Sequence, residues 1–135
     1  MPNYVQNNIT FSGDDAEIKK MLEAIKADEI GLGSIDFNKI IPIPESLIIE
    51  SGSSSNKGIE MVKSYLENMP EELKNKEGTY EEIFDDLRNH SADISDEEDK
   101  KIWDIGVKAA YNLYKYDVPT WYEWCCKNWG TKWIA

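Results

Sequence analysis

The sequence predicts an α+β domain, rich in helix with a small sheet, on three observations. Residues 4–11 alternate apolar and polar side chains as a half-buried strand does. Residues 96–116 carry a wide apolar stripe at helical spacing, as for a helix largely covered by neighbours. The last residues, 131–134, follow a helix-stopping Gly130 and are free to be extended. At 135 residues the chain is read as a single domain with one core.

In order, Val5, Ile9 and Phe11 fall on one side of the strand at 4–11, and Gln6, Asn8 and Thr10 on the other; Asn7 on the apolar side is an exception. Helix 14–27 follows, with Asp14 as cap, Glu17 three positions on, and a stripe of Ile18, Leu22 and Ile25. Residues 34–47 are extended and confined to a sheet edge, because Pro42 and Pro44 forbid a helix through Ile40–Ile43 and remove ladder donors. Ser51–Gly58 reads as a surface loop. It precedes a helical pattern, but Lys57-Gly58 reverses the Walker order and no metal-binding hydroxyl follows, so a phosphate cradle is disfavoured.

A helical region spans 58–90, with breaks at Pro70 and Gly78 and an amphipathic repeat at Tyr80, Ile83, Phe84 and Leu87. The acidic run from Ser91 to Lys100 lacks the spacing of a calcium loop. Ser95 with Glu98 reads instead as a capping box, with the other acids crowding the first turn of helix 96–116, where the dipole favours them. Helix 120–128 opens after Pro119, and strand 131–134 closes the chain.

The net charge of −11 is unevenly spread: −5 over residues 1–50, −8 over 51–100 and +2 over 101–135. Such acidity repels phosphates, so direct nucleic-acid binding is disfavoured, and it leaves an acidic interaction surface at Asp85, Asp86, Asp93, Asp96, Glu97 and Asp99. Neither a signal peptide nor a membrane-spanning run is read, and a cytoplasmic protein is expected.

No cofactor, metal site or catalytic residue is expected. Cys125 and Cys126 are adjacent, an awkward geometry for a disulfide, and His90 is the sole histidine. Asp14, Asp15, Asp85, Asp86, Asp93 and Asp96 are too scattered in sequence to specify a two-metal site.

Nine of the fifteen aromatic residues lie in the final 35 positions, interleaved with Lys108, Lys115, Lys127 and Lys132. That combination suits stacking on single-stranded nucleic acid, with Trp121, Trp124, Lys127, Trp129, Lys132 and Trp133 as the candidate binding residues. A core role is favoured, because tryptophan buries more area than any other side chain.

Three blocks, MPNYVQNNITFSGD, IDFNKIIPIPESLIIESGSSSNKG and PTWYEWCCKNWGTKW, resemble in that order those of an uncharacterised bacterial, phage and plasmid family with a YubB-type ferredoxin-like domain. Tyr4 stands where members often have Trp. The resemblance implies a ferredoxin-like, or truncated ferredoxin-like, α+β fold in a phage or mobile-element setting, and no catalytic residues to carry across. Members resembling this chain commonly continue past WGTKW, so two completions of the sheet are expected as alternatives: direct pairing of strands 4–11 and 131–134 with Ile40–Ile43 at the rim, or a homodimer through an open edge.

The function expected is that of a non-enzymatic phage or mobile-element accessory protein working by protein–protein interaction with a host or phage protein. An acidic nucleic-acid mimic that inhibits a host defence or nucleic-acid enzyme is the specific form. The alternatives are a small single-stranded nucleic-acid or nucleotide binder using the aromatic end, and a domain with only a structural role.

Overall fold

The computed structural model describes residues 5–70 and 78–132, and these divide into two compact units, 5–42 and 43–132, where the sequence was read as one domain.

In the first unit, α1 (Asp15–Ile25) begins where the Asp14 carboxylate accepts the backbone N–H groups of Ala16 and Glu17, both at 3.1 Å. This satisfies two donors that the first helical turn otherwise leaves without partners. Ile18, Leu22 and Ile25 are only half-buried. Past α1, the Ser34 hydroxyl accepts the Ala27 N–H at 2.9 Å and closes a tight bend. A single helical turn, α2 (Phe37–Ile40), is capped by Asp36 and stops ahead of Pro42.

Among its described residues the second unit holds a 3-10 turn (Glu45–Leu47) and four helices: α3 (Ser53–Glu67), α4 (Tyr80–His90), α5 (Glu97–Tyr116) and α6 (Trp121–Trp129). A second 3-10 turn, Ser91–Asp93, joins α4 to α5. Helix α3 starts inside the stretch expected to be a loop. Ser55 accounts for its start: its hydroxyl accepts the Gly52 N–H at 3.2 Å and donates to the Gly52 carbonyl at 3.0 Å.

Among the described elements the α3–α5 contact is the most extensive, and it crosses at two glycines, Gly58 and Gly106, whose backbones touch. Helix α4 runs antiparallel to α5 along residues 103–114. Tyr80 stacks on Tyr114 at 4.6 Å, Phe84 meets Tyr111 edge-on at 5.3 Å, and the Trp103 indole N–H donates to the Leu87 carbonyl at 2.9 Å.

Two apolar clusters result. Val62, Phe84, Leu87, Trp103 and Val107 form one, and Leu47, Val118, Trp124 and Cys125 the other. Asn112, fully buried, ties in the segments that flank the second: its Nδ2 donates to the carbonyls of Ser46 at 2.7 Å and Pro119 at 3.0 Å.

The α+β, ferredoxin-like expectation is overturned. Among the described residues there is no strand, only an isolated bridge between Ala27 and Gly31, and the fold is all-α. Alternation makes a strand only when a neighbouring strand supplies the ladder. Residues 5–11 have none, so Val5, Ile9 and Phe11 stand exposed, at 76%, 59% and 40%. Of the strand expected at 131–134, Thr131 and Lys132 lie in a bend, and Trp133 and Ile134 fall outside the described residues. A homodimer through a sheet edge falls with the sheet, since the described residues offer no such edge.

The acidic start of α5 also differs in register. Asp96 is the cap, its carboxylate accepting the Asp99 N–H at 2.9 Å, in place of the expected Ser95–Glu98 pair. At the other end Asp117 closes α5 in the left-handed conformation, at φ 62°. That conformation is costly for side chains branched at Cβ and free of steric penalty for glycine. Asp117→Val is therefore expected to lose about 1–2 kcal/mol in urea unfolding, while Asp117→Gly is neutral or stabilising. Equal stability of the two variants would contradict this account of the helix end.

No helix among the described residues is long and apolar enough to cross a membrane.

Candidate functional site

Helix α4 presents its charge outward. At 100° per residue, Phe84 and Leu87 point to the core, while Glu82, Asp85 and Asp86 lie on the far side and Glu81 on the flank beside Phe84, all exposed. Thr79 starts the helix with a reciprocal cap: its hydroxyl accepts the Glu82 N–H at 3.3 Å, and the Glu82 carboxylate accepts the Thr79 N–H at 2.9 Å. Glu81 and Glu82 lie in the first turn, where the dipole favours them. Asp85 and Asp86 lie beyond that help, and each faces a like charge four residues back, a pairing that destabilises a helix. Arg88 relieves Asp85 at 2.6 Å; Asp86 has no ion pair among the described residues.

The remaining candidates lie around the α4–α5 connection. Asp93 is 3.4 Å from His90 Nδ1, Asp96 caps α5, Glu97 is exposed in its first turn, and Asp99 lies 3.9 Å from Lys57 Nζ. The six predicted acids thus form two groups, the outer side of α4 and the start of α5. Sequence reasoning missed Glu81 and Glu82, although the repeat of Tyr80, Ile83, Phe84 and Leu87 already placed Glu82 opposite the core and Glu81 on its flank. Over residues 79–99, nine carboxylates stand against one arginine.

At the aromatic end, Trp124 is buried and meets Trp129 edge-on at 5.8 Å, within the cluster around Leu47 and Cys125. Trp121 is half-buried and Tyr122 exposed, with Lys132 Nζ 5.4 Å from the Tyr122 ring centre. Lys127 lies 3.6 Å from Asp117, and Trp133 falls outside the described residues. Four of the six candidate binding residues, Trp121, Trp124, Trp129 and Lys127, are thus engaged within this unit by packing or ion pairing.

Burial pushes the Cys125 thiol up, with a smaller contribution from neighbouring Cys126, which is exposed. His90 belongs to the other cluster's surroundings, 4.3 Å from the Tyr65 ring and 5.0 Å from Trp103. Among the described residues no three His, Cys, Asp or Glu side chains are grouped to hold a metal ion; Asp14 is committed to capping α1.

No protein-family model, curated protein or solved structure matches the chain. The resemblance of its three sequence blocks to the YubB-type family therefore rests on those residues alone.

Proposed function

We propose that this is a non-enzymatic interaction protein whose working surface is the outer side of α4 together with the start of α5, and whose partner is a basic, nucleic-acid-binding protein. The observation that carries the reading is the placement of Glu82, Asp85 and Asp86 on the far side of a helix whose other side is core, with Glu81 exposed on its flank. Columns Glu81–Asp85 and Glu82–Asp86 repeat along the axis at about 6 Å. Rows of negative charge at such spacing suit a groove built for phosphates, steer association, and exclude acidic competitors. The mobile-element setting implied by the sequence blocks agrees with an inhibitor of a host nucleic-acid enzyme. A purely solubilising role explains acidity, but not why it is concentrated where like-charge neighbours weaken the helix.

The test compares the full chain with a variant carrying Glu81→Gln, Glu82→Gln, Asp85→Asn and Asp86→Asn. Wild type is expected to retain nucleic-acid-binding proteins from host lysate at low salt and to release them to duplex DNA, while the variant retains none. Identical retention by both proteins would refute the assignment.

A further inference from the structure

Beside the acidic surface lies a groove of opposite character. It has a volume of about 560 Å³ and is lined by Glu45, Ser46, Ile48, Arg88, Lys108 and Tyr111 among others. One wall is the segment around the first 3-10 turn, held in place by fully buried Leu47 and by the Asn112 bond to the Ser46 carbonyl. From that wall Ile48 stands 65% exposed. The other side belongs to α5 and to the Arg88 end of α4.

Three donor-bearing residues, Arg88, Lys108 and Tyr111, line this groove. Lys108 makes no ion pair with any described residue. Arg88 lies 5.5 Å from the Tyr111 ring centre and gives only Nη1 to Asp85, leaving further guanidinium donors. The Tyr111 hydroxyl oxygen accepts from Lys115 Nζ at 3.3 Å, which leaves its own O–H to donate. Against these donors stand Glu45 in the lining and the Asp85 carboxylate already on Arg88 Nη1. The adjoining groove along the start of α5, which shares Lys108, holds as many carboxylates as lysines: Glu50, Glu97 and Asp104 beside Lys100, Lys101 and Lys108.

We propose that the Arg88–Lys108–Tyr111 groove binds a phosphate monoester, its phosphoryl oxygens on the three donors and an apolar or aromatic body along Ile48. Arginine and lysine beside a donating phenol suit a tetrahedral dianion, with charge-assisted bonds as the main attraction. A concave apolar wall with few placed polar groups is the usual form of a small-molecule site. Glu45 opposes the anion and weakens it.

The test is an amide-resolved NMR titration of the full chain with phenyl phosphate, inorganic phosphate and phenol at matched ionic strength. Phenyl phosphate is expected to shift the Ser46, Ile48, Lys108 and Tyr111 amides saturably; inorganic phosphate is expected to shift the same amides more weakly, and phenol not at all. Lys108→Gln is expected to weaken phenyl phosphate about fivefold, and Glu45→Gln to tighten it, with the rest of each spectrum unchanged. The absence of saturable shifts at these amides, or unchanged affinity in Lys108→Gln, would overturn the site. Equal binding of inorganic and phenyl phosphate would overturn the assignment to an ester.

Discussion

Gly106→Ala is expected to destabilise the helical unit by about 3 kcal/mol, a sign opposite to that for an ordinary helix interior. In an isolated helix, alanine is better than glycine by about 1 kcal/mol. Here a Cβ on residue 106 would stand 2.2 Å from the Gly58 carbonyl oxygen, a contact no real Cβ makes, and 2.6 Å from the Gly58 Cα. These atoms are backbone, so no side chain can swing aside; the helices must separate. Separation would loosen α3 against α5 along its whole length, including Val62 against Trp103 and Val107. Overpacking of well-packed interiors typically costs about 1–3 kcal/mol, and a rigid backbone obstacle places this case at the upper end. Gly58→Ala meets the Ile102 carbonyl at 2.5 Å and should behave alike. Urea unfolding followed by far-ultraviolet circular dichroism reads the effect. Ser64→Ala, on the exposed side of α3, is the control, expected to be neutral or slightly stabilising. A Gly106→Ala midpoint at or above that of wild type would mean that the close crossing is not present in solution.

That crossing was invisible in the sequence for a physical reason. Ser51–Gly58 is composed of turn formers, and local propensity alone calls for a loop. The helix forms because Ser55 completes its own start and Gly58 permits a neighbour 48 residues away to approach, which is tertiary packing overriding propensity. Elements whose information is local were legible: the stripes of α4 and α5, Asp14 before α1, and Gly130 after α6. The lack of a strand over 5–11 was not, because alternation describes one side of a ladder and the other side is a nonlocal fact.

The candidate site divides in the same way. Asp85 and Asp86 could be read as exposed acids, and a helical wheel of Tyr80, Phe84 and Leu87 would have added Glu81 and Glu82. The groove could not be read at all, since Arg88 and Tyr111 lie on separate helices and Ile48 on a third segment. Asn112, a polar residue in α5, carries no such signal in the sequence either. Its meaning lies in two carbonyls, one of them 66 residues earlier in the chain.

Trp103→Ala is expected to cost about 3–5 kcal/mol, and Trp103→Phe to separate two roles that alanine removes together. The ring is 2% exposed and packs edge-on to Tyr65 at 5.4 Å, so its loss leaves a large void beside Val62, Leu87 and Val107. The indole N–H has a second task. The last four carbonyls of a helix lack intrahelical donors, and at the end of α4 the Ser91 N–H turns to Arg88 and Asn89. The Leu87 carbonyl is met by Trp103 instead. Phenylalanine restores most of the packing yet leaves that carbonyl without its indole donor, a loss of about 1–3 kcal/mol when the group stays dry. Because the bond joins α4 to α5, its removal should act first on α4. Hydrogen exchange of Trp103→Phe should therefore accelerate at the α4 amides while α3 keeps its protection, and partner retention should fall with it, since the carboxylates of Glu81 to Asp86 are presented only when that helix is docked. Uniform acceleration across α3, α4 and α5 would show that the indole bond serves the whole unit and not the seating of the acidic helix.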